Sequence, residues 1–486
     1  MNKPLRKVGM VMLALIVLLL GNASYIQVIN SADYAENPRN LRVLYDQYSR
    51  KRGQIVGAAD GITLAGSKKS HDRFNYLRTY PYGPMYGQVI GFQSLRYGTS
   101  GIEQQLNDFL NGSDPRLFGR RLADIFTNQE TKGGSVRLTL RHKVQQAAYQ
   151  AMVERGYTGA VVAMVPDTGE IVAMVSTPSF DPAPLASHDP TAQEKAWNKY
   201  TSNPAKPMVN RAIQTVYPPG STFKLVVAAA ALENGADAQT QVTAQARIPL
   251  PNSTKTLPNY GNAPCPDDTL KAALAHSCNT AFAKLAGELG PETLRKTAQK
   301  FGIGMDDLQI PMPVATSSLG PMSSPAAVYQ SAIGQRDVRM TPLQVAMISS
   351  TIANGGVAMK PFLVKELLAP NLSTVEEHTE DELTGDAALS QHNAEVLTDM
   401  MIASESNTGG GHKVPDLTLA SKTGTAEHGQ GRPPHGWYTA FGPADNPEIA
   451  VAVVVEDGGG QGMSATGSSI AAEVGRIVIN TALGKR

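Results

Sequence analysis

An uncharged, almost wholly apolar run from Val8 to Leu20 follows the basic residues Lys3, Arg6 and Lys7. Alone it has the length of a signal-peptide core, with Gly21 and Ala23 as small residues at a cleavage site. Extended through Tyr25, Ile26, Val28 and Ile29, it reaches the roughly 20 residues that span a bilayer. An uncleaved anchor is the reading carried forward. Positive charge ahead of the run keeps that end in the cytoplasm and sends everything after about residue 30 outside.

From about Asn30 to Gly134 the pattern is polar and turn-rich, with strand-like pieces such as Gly53 to Val56 and no long helical period. Arg52 to Ile55 (RGQI), Gly61 to Ala65 (GITLA) and Tyr97 to Glu103 (YGTSGIE) read as turns between short strands, and spacing assigns them no function. Ser135 to Leu140 alternates as a strand, and Lys143 to Arg155 reads as a helix. The valine-rich runs Ala160 to Val165 and Glu170 to Val175, separated by Pro166, Asp167, Thr168 and Gly169, predict an antiparallel hairpin. The apolar run Leu225 to Leu232 reads as a buried helix. Two more helical stretches, Leu270 to His276 and Thr280 to Leu289, flank a polar corner. Strands recur at Leu419 to Thr425, Tyr438 to Phe441 and Ile449 to Val455, before a helix from Ile470 to Leu483. Strands at both ends with helices between predict an α+β fold, an antiparallel sheet covered by helices, preceded by a small extended β-rich domain. The glycine runs Gly409 to Gly411 and Gly458 to Gly460 read as mobile loops, and the acidic run Glu376 to Glu382 as a solvated surface.

The length of 486 residues calls for two or three domains. With 43 basic and 42 acidic residues the net charge is +1, which gives no case for a nucleic-acid partner. Two cysteines make neither a disulfide scaffold nor a zinc ribbon. His412, His428 and His435 match no ligand spacing, so no metal and no cofactor is expected.

Chemistry enters at Tyr217 to Lys224 (YPPGSTFK). The prolines hold a turn, Ser221 opens the helix that follows, and Lys224 at i+3 lies on the same face, its amine able to reach the serine hydroxyl. A serine attacks at neutral pH only if a neighbour takes its proton. Lysine does so only when neutral, which asks for a shift of about 3 pKa units, roughly 4 kcal/mol, from burial or a second cation. A lone Ser-x-x-Lys is otherwise read as a helix cap beside a solvated lysine. Ser277, Cys278 and Asn279 occupy the polar corner between two helices. Lys422, Thr423, Gly424 and Thr425 end a strand, where a lysine usually meets water at an edge. A glycine there lets a ligand or another backbone approach. In this order the three motifs are the set associated with penicillin-recognising serine enzymes.

The chain resembles class B penicillin-binding proteins, and specifically the actinobacterial penicillin-binding protein A type. The resemblance rests on RGQI, GITLA, YGTSGIE, the Gly159 to Pro182 segment, YPPGSTFK, SCN, SAIGQ at Ser331 to Gln335, TPLQ at Thr341 to Gln344 and KTGTAE at Lys422 to Glu427. It implies a peptidoglycan D,D-transpeptidase outside the cytoplasmic membrane, acting on stem peptides and covalently inhibited by β-lactam antibiotics. In that reading Ser221 is the nucleophile and Lys224 the base. Ser277 relays protons, and Asn279 bonds the substrate amide or Lys224. Lys422 and Thr423 bind the carboxylate, Lys422 is also the second cation that helps keep Lys224 neutral, Gly424 and Thr425 belong to the substrate strand, and the backbone N–H groups of Ser221 and Thr425 form the oxyanion hole. Cys265 and Cys278 are left as either a disulfide or two unrelated small buried residues.

The implied division is a cytoplasmic tail at 1–7, a transmembrane anchor at 8–29, a non-catalytic pedestal or dimerisation domain at 30–140 and the transpeptidase domain at 141–486. A membrane glycosyltransferase and division proteins are the implied partners. A D,D-carboxypeptidase, a β-lactamase-like hydrolase and a non-catalytic penicillin-binding division component are the alternatives left open.

Overall fold

The computed structural model describes residues 2–30, 48–58, 61–119 and 132–485. Parts of the expected first domain, 31–47, 59–60 and 120–131, lie outside the described residues. The apolar run forms the helix Asn2–Ser24, continued by a π turn at Tyr25–Ile29. From Pro4 to Ile29 it is long and apolar enough to cross a membrane, and none of its most apolar stretch is buried against the protein. Such a helix suits membrane anchoring.

Strands in the first part of the chain are β1 (Ile55–Val56), β2 (Thr63–Lys69), β3 (Tyr76–Thr79), β4 (Gln93–Ser94), β5 (Gly98–Thr99) and β6 (Ser135–Leu138). Then come β7 (Gly159–Met164), β8 (Ile171–Thr177), β9 (Arg247–Pro249), β10 (Thr256–Pro258), β11 (Val364–Leu368) and β12 (Thr374–Glu377). The last are β13 (Ala420–Ala426), β14 (His435–Gly442) and β15 (Ile449–Val455).

The catalytic half is built on a five-stranded sheet ordered β13-β14-β15-β7-β8, antiparallel throughout. Its strands are apolar on both faces because helices cover both. On one face Val161, Tyr438, Val451 and Val453 share a core with Val144 of the His142–Val153 helix and Val474 and Val478 of the Ala472–Ala482 helix. On the other, Val162, Phe441, Ala452 and Val454 share one with Val226 of the Lys224–Glu233 helix and Ile348 of the Pro342–Ala353 helix. Successive residues serve opposite cores, as strand geometry requires. Each buried valine or leucine stabilises the fold by about 1.5–3 kcal/mol. The strand β13 is left at an edge, beside the Ser221 turn.

A six-stranded sheet, β12-β11-β6-β1-β2-β3, underlies the first part of the chain. Here β1 runs parallel to β6 with Ile55 opposite Val136, and β11 pairs with the other side of β6 with Leu367 opposite Val136. This sheet therefore draws on both sides of residue 140. The Tyr97 to Glu103 stretch proves to be more than a turn: β5 leads into a helical turn, Gly101–Gln105, that carries Glu103 into the interior. Its carboxylate accepts from Arg52 Nε at 2.7 Å, Arg78 Nε at 2.6 Å and the Tyr80 hydroxyl at 3.2 Å. Burial pushes this carboxyl up, and the Arg78 and Arg52 guanidiniums outweigh burial and hold it below its usual range.

Two other expectations change. The C-terminal helix is broken at Ala471, with a short turn, Gly467–Ile470, capped by Thr466, before Ala472–Ala482. Both glycine runs are tied down. Arg476 donates to the carbonyls of Gly409 and Gly411 at 2.8 and 3.1 Å, and Gly458 N–H donates to Pro434 O at 2.8 Å.

Candidate active site

The two prolines stop any helix before Gly220, and the chain enters its helix through a 3-10 turn, Gly220–Phe223, rather than at Ser221 directly. That turn is held from three sides. Trp437 Nε1 donates to Pro218 O at 3.0 Å. Tyr217 and Met340 exchange backbone bonds at 2.9 and 2.8 Å, and Gly220 N–H donates to Gly334 O at 3.0 Å. Gly220 has φ of 55°, and a Cβ there would lie 2.8 Å from Thr425 O, so the turn abuts the end of β13. Ser221 is half-buried, whereas Thr222, Phe223 and Lys224 are buried.

Lys224 is fully buried. Its Nζ lies 2.7 Å from Ser277 O, 2.7 Å from Asn279 Oδ1 and 3.3 Å from Ser277 Oγ. The expected reach to Ser221 is thus replaced, in the free site, by bonds to the Ser277–Asn279 corner. Two of those partners, a carbonyl and an amide oxygen, can only accept. A neutral amine spends its two N–H groups on them and keeps its lone pair for a hydroxyl. Burial, with Lys422 as a second cation, pushes Lys224 well below the ordinary lysine range.

Lys422 is not the water-facing lysine usual at a strand edge. It is 1% exposed, because β13 packs against the Gln391–Ser406 helix and the Ser221 turn. Its Nζ donates to Ser277 Oγ and Thr423 O, both at 3.0 Å, and burial lowers it to about 7. Ser277 Oγ therefore stands between the two amines. Ser277 itself has φ of 58°, a left-handed conformation that turns the chain sharply between the Leu270–Ala275 and Asn279–Lys300 helices. Of the two readings of the cysteines, the structure has the bridge: Cys265 and Cys278 are bonded, with Cα atoms 5.9 Å apart. The bridge fastens the corner to the preceding loop. Asn279 adds a bond from its Nδ2 to Pro258 O at 3.1 Å.

Thr423 and Thr425 are half-buried on the outer face of β13, and Gly424 is buried. A Cβ at Gly424 would lie 2.8 Å from Pro219 O, so the close approach this glycine permits is that of the Ser221 turn. Spacing in the sequence held no sign of Trp437, or of Tyr217 donating to Glu456 Oε1 at 2.6 Å; these supports lie 219 and 239 residues from their partners.

His428 and His435 do meet Asp457, their potential ligand atoms within 4.8 Å of one another, while His412 lies apart beside Glu473. The geometry does not suit an ion. The two imidazoles stack with planes 2° apart and centroids 3.7 Å apart, so no ion lies in both ring planes. His435 Nδ1 already accepts from Asp457 N–H at 3.2 Å.

The lysine pair has a consequence for pH. As pH rises, the acylation rate constant of the free enzyme should climb while Lys224 loses its proton, well below the ordinary lysine value of about 10.4. It should decline above about 7 as Lys422, the expected carboxylate site, loses its charge. Penicillin G acylation followed from pH 5 to 10 checks this; a rate still climbing at pH 10 contradicts it.

Residues 159–480 match the family described as penicillin binding protein transpeptidase domain, and residues 52–136 match the penicillin binding protein A dimerisation domain. The chain is 49% identical over 492 residues to the peptidoglycan D,D-transpeptidase PbpA of Mycolicibacterium smegmatis, covering 99% of each. To the protein of the same name from Mycobacterium tuberculosis it is 47% identical, again over 99% of each. The structure superposes on the ceftriaxone acyl-enzyme of penicillin-binding protein A from M. tuberculosis with a TM-score of 0.88 and 46% identity, over 90% of this chain and 100% of that one. On the penicillin G acyl-enzyme of the same protein the TM-score is 0.85 at 46% identity, over 89% and 100%.

Proposed function

The chain belongs to the penicillin-binding protein transpeptidase family, of the penicillin-binding protein A kind, and from that premise we propose that Ser221, Lys224, Ser277, Asn279 and the Lys422–Thr425 strand carry its chemistry. It is a peptidoglycan D,D-transpeptidase that works through a serine acyl-enzyme and is acylated by β-lactams. The observation that carries the residue assignment is Ser277 Oγ held between two buried amines, 3.3 Å from Lys224 and 3.0 Å from Lys422, beside the Ser221 turn.

Ser221 Oγ attacks the carbonyl of the penultimate D-alanine of a stem pentapeptide, and its proton passes to the neutral Lys224 amine. The backbone N–H groups of Ser221 and Thr425 receive the developing oxyanion, where each such donor typically contributes about 3 kcal/mol. The peptide C–N bond then breaks. The leaving D-alanine amine takes the proton from Lys224 by way of Ser277, which leaves an ester on Ser221. An amine from a neighbouring stem attacks that ester, and the proton it sheds returns to Ser221 Oγ as the ester bond breaks. Lys422 and Thr423 hold the terminal carboxylate, and a carboxylate beside Lys422 restores its charge. Asn279 orients Lys224 and the substrate amide, and Gly424 lets the nucleophile's turn come close. The strained β-lactam amide follows the same path, but its leaving amine stays tethered and the adduct persists.

Residues 8–29 of the apolar Pro4–Ile29 helix are the membrane anchor, with residues 1–7 cytoplasmic and the chain beyond about residue 30 outside, on the argument of flanking charge. Residues 30–140 supply a non-catalytic domain, its sheet completed by β11 and β12, that contacts a membrane glycosyltransferase and division proteins; the rest of 141–486 forms the transpeptidase domain. Incubating the full-length protein in detergent with a stem pentapeptide and an amine acceptor tests the reaction. Cross-linked product with one D-alanine released per bond is expected. Tetrapeptide acid alone, at any acceptor concentration, would make the enzyme a carboxypeptidase.

A further inference from the structure

The SAIGQ segment, Ser331 to Gln335, has no part in the mechanism above, yet it touches both halves of the site. The chain leaves the Pro325–Ala332 helix and turns at Gly334, φ 68°, whose carbonyl accepts Gly220 N–H at 3.0 Å. A Cβ on Gly334 would lie 2.0 Å from Gly220 O, so the segment runs directly against the backbone that precedes the nucleophile. The next residue, Gln335, faces the far end of the KTG strand. With its carboxamide oriented so that nitrogen donates and oxygen accepts, it gives one bond to Glu427 O and takes one from Glu427 N–H, both 3.2 Å. This is the pair of bonds that a neighbouring strand would make, supplied by a side chain. Glu427 directly follows β13 and lies two residues past Thr425, whose carbonyl in turn sits against Gly220. Gly220 to Gly334, Gln335 to Glu427 and Thr425 back to Gly220 therefore close a ring of contacts around the space between Ser221 and Thr425.

We infer that Gln335 is a positioning residue for acyl transfer: by clasping the Glu427 backbone it fixes the end of β13 against the Ser221 turn, and so sets the separation of the two oxyanion N–H groups. The inference rests on the oxyanion pair proposed above. Without the clasp, β13 would still pair with β14 on one side, so the sheet survives while its catalytic edge loosens.

Gln335→Glu places a carboxylate against Glu427 O, and Gln335→Met removes both bonds at similar volume. In the full-length protein, penicillin G acylation is followed to completion and the adduct's decay is then timed. In both variants the limiting acylation rate constant should fall about ten- to hundred-fold, part of the roughly 10²–10³ lost when an oxyanion donor is removed outright. Deacylation should slow by a similar factor, because both steps pass through the same oxyanion, while the drug concentration at half-maximal rate stays near wild type. These constants come only from molecules that react, so partial unfolding lowers the amplitude and leaves the rate alone. A lowered amplitude with wild-type rate constants would make Gln335 a merely structural brace and overturn the inference. Failure of the wild type itself to acylate would instead count against the proposed function.

Discussion

Ser221→Ala is expected to end acyl transfer while leaving the fold intact. Loss of the nucleophile in a serine acyl-transfer enzyme costs on the order of 10⁶ in turnover, so release of D-alanine from a stem pentapeptide should drop to background. Stability should stay within about 0.5 kcal/mol of wild type, as for substitutions away from caps and cores. The reason is local. The following helix has Phe223 at its N-cap position with no side-chain cap bond, and the 3-10 turn before it has none either, so the Ser221 hydroxyl closes no helix end. Paired measurements of D-alanine release and thermal unfolding check both halves. Loss of activity together with a large loss of stability would return Ser221 to the role of a structural helix-start residue.

Lys224→Met should slow penicillin acylation by about 10²–10⁴, the range for removal of a positioned general base. Methionine suits the buried site in volume and carries no proton acceptor of comparable basicity. Lys224→Arg should do no better, because a guanidinium stays charged at any working pH. Some stability is lost as Ser277 O and Asn279 Oδ1 give up a donor 2.7 Å away, an effect of about 1–3 kcal/mol for each acceptor left dry. Burial of an amine pushed well below its ordinary range is itself unfavourable, and removing it offsets part of that loss. Acylation time courses decide the matter. A Lys224→Met protein within ten-fold of wild type would place the base elsewhere.

How much of this was legible in the sequence depended on whether the partners were local. The strands β7, β8 and β15 stand close to where the apolar runs put them, since two-sided burial leaves runs rich in valine and alanine; β13 and β14 also stand close to their expected places. The three motifs were visible as motifs, and their order indicated the chemistry. Most long-range contacts were not visible. Lys422 as the second cation beside Lys224 came with the family resemblance, whereas its burial at a strand edge did not. Glu103 reads as part of a turn because its partners Arg52 and Arg78 lie 51 and 25 residues away. Gly424 reads as room for a ligand or another backbone, and only the structure shows that the backbone is that of Pro219. Ser277 gives no warning of its left-handed backbone, which lies between two helices and next to the Cys278 bridge. Gln335 was noticed only as part of a resemblance, and what it holds is a main-chain segment, which no side-chain pattern records.

The central claim is that Ser221 forms a persistent acyl-enzyme in this site. It is tested most directly by intact mass spectrometry of the full-length protein after penicillin G, followed by proteolysis to locate the adduct. One drug molecule per chain, added without loss of mass, carried on the peptide that contains Ser221 and slow to decay, is the predicted result. Hydrolysed drug with no adduct, or an adduct on any other residue, would contradict the account.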